Sequence, residues 1–156
     1  APAHSDFERP LNRRGERSAA VIGIMMKQEK IAPDLILCSS ARRTVQTREI
    51  IRPYLPRNCP VEETPRIYEA SMNDIFAVLS ELPDSVQMPL VIGHNPGLAQ
   101  LTLILCSTAG GEGLTRVQEK FPTGALAEIE LDIDTWNEIA PGKGRLRRFV
   151  APKDLV

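Results

Sequence analysis

Apolar positions in this chain fall into two kinds of run, and their alternation predicts a largely parallel α/β architecture. Ala19, Ile22 and Met26 recur at i, i+3 and i+7, predicting a helix from Asn12 to about Lys30 with Asn12 as its N-cap. Gly15 stands where a capping box would need Glu or Gln. Residues 34–38 form a short continuous apolar run, the pattern of a buried strand. Ser39-Ser40 read as a turn, and Ala41 to about Tyr54 as a helix stopped near Pro56. Val61-Glu62 suggests a short strand. Ser71 with Asp74 forms a capping-box pair opening a helix to Leu82. Residues 89–92 form a second buried strand, after which Pro96 suits the first turn of a helix reaching Cys106. Residues 110–113 read as a flexible glycine loop. Residues 125–131 and 145–150 read as strands, joined by a hairpin-like excursion that carries Trp136.

Composition narrows the class. With 156 residues, 42% of them hydrophobic and 25% charged, the chain suits one soluble globular domain and excludes disordered, collagenous and disulfide-scaffold classes. No apolar stretch approaches a membrane span. The net charge of −1 offers no global field for nucleic acid or membrane, so neither is expected as a partner. The charge is nevertheless uneven: residues 1–66 carry net +4 and residues 67–156 net −5. Arg outnumbers Lys fourteen to five, which suits bidentate binding of a small oxyanion. Cys38 and Cys106 sit in apolar runs and read as small buried hydrophobes, so a cytoplasmic setting is expected. With His4 and His94 the only histidines and no Cys/His ligand spacing, neither metal nor cofactor is expected.

Chemistry concentrates at two strand ends. Ligands of open α/β sheets bind beyond the carboxyl ends of strands, where the following helices offer their N-termini. The first strand runs into Ser39-Ser40-Ala41-Arg42-Arg43, the second into Gly93-His94-Asn95-Pro96-Gly97. If the two strands share a sheet and a direction, Arg43 and His94 meet on one edge as a phosphate pocket. Arg42 and Arg43 lie about 100° apart on a helix, so at most one faces that edge. Other phosphate chemistries fail on spacing. A cysteine-phosphatase loop needs Arg six positions after Cys, where Thr44 and Pro65 stand, and no G-x-x-x-x-G-K-[ST] loop occurs.

These residues resemble a known family. The run Ser39 to Thr47 is similar to the S-P-x-x-R-A-x-Q-T segment of the histidine phosphatase (phosphoglycerate-mutase-like) superfamily, and Val91 to Leu98 to its V-G-H-N-P-G segment. Arg9-Pro10-Leu11 with Gly15 resembles the R-P-L-x-x-x-G stretch of bacterial SixA-type phosphohistidine phosphatases. Pro122-Thr123-Gly124-Ala125, Trp136 and the closing residues 146–155 resemble that subgroup as well. The resemblance spans nearly the whole chain, and four motifs in order make it specific. It implies a three-layer α/β/α sandwich with a mostly parallel sheet, in a single domain over residues 1–156. The family's nucleophile is a histidine in an R-H-[GA] triplet ending the first strand, and no Arg-His pair occurs here. The expectation is that this strand and dyad precede Ala1. His4 lacks both a preceding Arg and a preceding strand and makes a poor substitute. Because that strand is central in the family's sheet, its loss would leave open ladder groups and a cavity.

The resemblance implies a metal-free, two-step dephosphorylation through a phosphohistidine enzyme intermediate. Arg43 and His94 would be catalytic, holding the phosphoryl oxygens. Ser39, Arg9 and Thr123 would bind phosphate or substrate, although a helix cap for Ser39 and a turn for Thr123 are open readings. Glu69 is the one candidate acid, and the SixA subgroup lacks a clear one. The implied partner is a phosphohistidine-bearing phosphorelay protein, acted on by a monomer. The alternatives are a phosphomonoesterase of small metabolites and, for a chain that truly begins at Ala1, a non-catalytic phosphate-binding module.

Overall fold

The computed structural model describes residues 5–108 and 110–156, so His4 lies outside the described residues. In chain order the elements are α1 (Arg13–Gln28), β1 (Leu35–Ser39), α2 (Arg42–Ile51), β2 (Val61–Thr64), α3 (Met72–Ser80), β3 (Pro89–Ile92), α4 (Gly97–Leu105), α5 (Glu112–Glu119), β4 (Leu126–Leu131) and β5 (Gly144–Val150). They group into two compact units. Among the described residues, the first takes those up to 68 and 86–93, the second 69–85 and those from 94 onward.

The first unit is built on β1. All five of its residues are buried, and Ile36, Leu37 and Cys38 are at most 1% exposed. A strand covered on both faces needs an unbroken apolar run, and Leu35 to Cys38 provide one. β1 is central, with β2 and β3 parallel to it on either side. The register pairs Ser39 with Thr64 and Cys38 with Ile92. Both edges of β1 are thus paired.

Asp34 sets that register. Its carboxylate accepts from the backbone N–H of Gln87 at 2.8 Å and of Met88 at 2.9 Å, while its own N–H donates to the Met88 carbonyl at 3.0 Å. A slip by one residue would exchange the two faces of β3, so three bonds at the strand entrance exclude it. Helix α1 packs on α2. It buries Ala19, Ile22 and Met26, the stripe its periodicity predicts, together with Gly23 and Met25, and the Asn12 side chain accepts from Gly15 N–H at its start. It stops two residues earlier than predicted. The N–H groups of Lys30 and Ile31 return to the carbonyls of Lys27 and Met26, with Lys30 at φ +58, a Schellman ending without glycine.

The second unit pairs β4 with β5 antiparallel, as the predicted hairpin requires, and buries Trp136 in the connection. The Ser71–Asp74 capping box is present at the start of α3. Three expectations need correction. The flexible loop at 110–113 is in its second half the first turn of α5, which the glycines disguised. Val117 is buried, and an added Cβ on Gly113 would lie 3.1 Å from Leu146 Cδ2, so helix and strand approach closely there. Pro96 precedes α4 rather than entering its first turn. In the first unit, the helix predicted to run to Tyr54 ends as α at Ile51 and continues as a 3-10 turn, Arg52–Tyr54. Pro53 lacks the N–H that an α-turn needs.

All three cysteines are free and buried, and burial raises each thiol pKa, that of Cys38 to about 11. Among the described residues no helix is long and apolar enough to cross a membrane.

Replacing Asp34 by Ala removes two charge-assisted bonds at the partly exposed entrance of β3. It is expected to cost about 1–2 kcal/mol in urea unfolding, with the m-value unchanged.

Candidate active site

In the first unit, the end of β1 is shaped by its serine and threonine. Ser39 is fully buried, and its Oγ accepts from Ala41 N–H at 3.3 Å. The Thr44 hydroxyl, also buried, bonds the carbonyls of Ser39 at 2.9 Å and Ala41 at 2.7 Å. These bonds turn the chain from strand into α2 within two residues. Ser39 thus bonds within the turn but does not cap α2, whose N-cap is Ala41 without a side-chain cap bond.

The segment around Asp6 lies across the start of α2. Arg42 N–H donates to the Phe7 carbonyl at 2.9 Å, and Leu11 N–H to Gln46 Oε1 at 2.7 Å. Arg42 itself is exposed, as one member of the adjacent arginine pair must be. It lines a cleft of about 440 Å³ with Phe7, Glu8, Ser40, Gln46 and Glu49, none of them a predicted site residue.

Arg43 faces the other way and meets Asp6. Its Nη1 donates to the Asp6 carbonyl at 2.8 Å and its Nη2 to Asp6 Oδ2 at 3.3 Å. The Tyr68 hydroxyl donates to the same Oδ2 at 2.7 Å, and Arg9 Nη2 reaches Oδ1 at 3.4 Å. The Tyr68 hydrogen bond, ahead of the two guanidinium groups, holds the Asp6 carboxyl below its ordinary value, so it is an anion at neutral pH. Arg9 and Arg43, separated by 34 positions, are thus brought to one carboxylate. Sequence reasoning missed Asp6 and Tyr68. The only local signal was Asp6 standing three residues before Arg9.

The second unit, which already holds residues 69–85, takes up the chain again at His94, two residues beyond the end of β3. His94 is partly exposed, and its carbonyl accepts from Leu98 N–H at 3.1 Å. Asn95 does the capping that Pro96 cannot. Its Oδ1 accepts from Ala99 N–H at 3.2 Å, and its Nδ2 donates to the Phe121 carbonyl at 2.9 Å. Through that second bond the His94 turn is tied to the turn that holds Thr123. There Ala125 N–H returns to the Pro122 carbonyl at 3.0 Å with Gly124 at φ +82, which marks a type II turn and leaves Thr123 exposed at its corner. Gly97 is needed for a different reason. A Cβ there would lie 2.3 Å from the Ala70 carbonyl oxygen, so the first turn of α4 sits against backbone that cannot move aside cheaply. Glu69, exposed, holds the left-handed conformation at φ +50, which costs a non-glycine residue of order 1 kcal/mol. Among the described residues no cluster of three or more His, Cys, Asp or Glu is arranged to hold a metal ion.

Residues 3–83 match the model of the histidine phosphatase superfamily, branch 1. The chain belongs to that superfamily. An uncharacterized protein of Mycobacterium tuberculosis is 30% identical over 96% of this chain and 92% of its own. The structure of the protein histidine phosphatase SixA complexed with tungstate superposes with a TM-score of 0.79 at 25% identity, over 99% of this chain and 92% of that one. A candidate phosphohistidine phosphatase SixA from Nakamurella multipartitia gives 0.84 at 22% identity, over 97% and 90%, which speaks to the fold. Within that superfamily the chain is similar to the SixA phosphatases and shares their phosphoglycerate-mutase-like α/β fold. The matched stretch contains Arg9, Ser39, Arg43 and Glu69, while His94 and Thr123 lie beyond it.

Gly97→Ala is expected to destabilise the protein by about 1–3 kcal/mol in thermal or urea unfolding, through overpacking against the Ala70 carbonyl. An unchanged midpoint would mean that α4 shifts freely.

Proposed function

We propose that this chain is a phosphohistidine phosphatase that removes the phosphoryl group from a phosphorelay protein, without metal, with Arg43 and His94 on the transferred phosphate. One observation carries the reading. β1 and β3 are adjacent and parallel, with Cys38 opposite Ile92, so the turns leading to Arg43 and His94 leave the same end of one sheet.

In this reading the nucleophile is the histidine of the R-H-[GA] triplet that the resemblance implies. Its ring nitrogen forms a bond to phosphorus as the substrate's P–N bond breaks, and the departing imidazole takes up a proton. Water then hydrolyses the enzyme phosphohistidine to free phosphate. Two easier displacements replace one hard one. Arg43 holds two equatorial oxygens through its fork, and His94 hydrogen-bonds the same group, so catalysis is positioning and charge neutralisation. The exposure of Arg9, Arg13 and Arg66 supports a site open to a protein surface rather than one closed over a metabolite.

Arg43→Ala and His94→Ala should each lower aryl phosphate and phosphoramidate hydrolysis by at least about tenfold while the thermal midpoint stays within a few degrees. Full activity in both variants removes the site assignment, and loss of activity in EDTA removes the metal-free mechanism.

Glu69 separates the substrate classes. An imidazole leaving group needs little protonation and an alkoxide needs much, so Glu69→Gln should leave phosphohistidine release within about twofold. Turnover of a phosphohistidine-bearing protein should exceed that of an aryl phosphate in kcat/KM by about tenfold or more. The reverse preference would favour the small-metabolite phosphomonoesterase.

A further inference from the structure

The Asp6 carboxylate is held by three donors whose combined charge exceeds its own. Two guanidinium groups and a phenol converge on one monoanion, and the Arg43 side chain keeps 19% of its surface exposed, against 46% for Asp6. Asp6 therefore lies outside Arg43, on an exposed segment, with half-buried Tyr68 beside it, while Arg9 closes the group from the solvent side. We infer that Arg43, Tyr68 and Arg9 form one oxyanion pocket in which the Asp6 carboxylate is a resident stand-in that the substrate phosphoryl group displaces. The inference rests on the reading of Arg43 as a phosphate ligand and adds Tyr68 as a further ligand and Asp6 as an internal competitor.

The chemistry of the donor set favours the exchange. A carboxylate offers two oxygens. Here Tyr68 and Arg43 crowd onto Oδ2, while Arg9 reaches Oδ1 only at 3.4 Å. A phosphoryl group offers three oxygens and nearly twice the charge, so each donor gains an acceptor of its own. Tyr68 is held in place independently of Asp6, since its ring stands edge-on to Phe7 with centroids 5.0 Å apart. The Phe7 carbonyl in turn accepts from the first N–H of α2. Releasing Asp6 therefore leaves both Tyr68 and the start of α2 anchored.

An occupied pocket lowers apparent affinity by the fraction of time it is open. Asp6→Asn keeps the shape of the side chain and removes its charge. Titration calorimetry with inorganic phosphate should give a Kd roughly fivefold or more below that of the unaltered protein. Adding Tyr68→Phe to Asp6→Asn, which keeps the ring against Phe7, should raise that Kd again by about threefold or more. A Kd in Asp6→Asn that is unchanged or weaker overturns the inference and makes Asp6 a residue that positions Arg43. A Kd in the double variant equal to that of Asp6→Asn removes Tyr68 from the pocket. Should Asp6→Asn fold poorly by circular dichroism, Asp6→Ser supplies the same comparison. The readout is binding, so tight phosphate binding without turnover would spare this inference and defeat the proposed reaction. Turnover with no gain in Asp6→Asn would do the opposite.

Discussion

The parallel pairing of β1 with β3 is the constraint on which the functional reading of this chain depends. β1 can sit centrally only because Leu35 to Cys38 are apolar without interruption, and burying Ile36 and Leu37 stabilises the fold by about 1.5–3 kcal/mol each. Apolar burial alone does not choose a register. The Asp34 carboxylate does, by taking two successive backbone N–H groups at the entrance of β3. Everything at the far end follows from that choice, because Ser39 and Gly93 then leave the sheet from the same end. A polar clamp at one end of two strands thus determines which turns emerge side by side at the other.

At that far end the chain uses neutral groups for shape and charged groups for anions. Ser39, Thr44 and Asn95 satisfy backbone N–H and carbonyl groups, which in buried or tight turns would otherwise go without partners at a cost of roughly 1–3 kcal/mol each. The Arg43 and Arg9 guanidinium groups instead meet the Asp6 carboxylate. By this division Ser39 bonds within the turn, while Arg43 and Arg9 carry the Asp6 carboxylate.

Much of this was legible in the sequence, and the exceptions have physical causes. The buried strands, the α1 stripe and the Ser71–Asp74 box were readable because each is a local pattern with one dominant interpretation. Helix α5 was hidden by three glycines in four positions, since propensity argues against a helix that tertiary packing on β5 supports. The convergence on Asp6 was out of reach for another reason. Arg43 and Tyr68 stand 37 and 62 positions away, and no periodicity encodes a contact at that range. Arg43 and His94 stand as candidates in the two strand-end motifs, whereas Tyr68 belongs to neither.

The burial of all three thiols has a consequence for watching the molecule move. Cys38 lies in the central strand of the first unit, its Sγ directed to the Ser39 and Thr44 carbonyls, and Cys106 lies fully buried at the end of α4 in the second. Burial keeps both protonated at neutral pH, so alkylation has to wait for the surrounding structure to open. The natural sequence thus carries a clock in each unit. Mass-resolved labelling rates at the two positions would tell whether β1 and α4 open together as one cooperative body or on separate schedules.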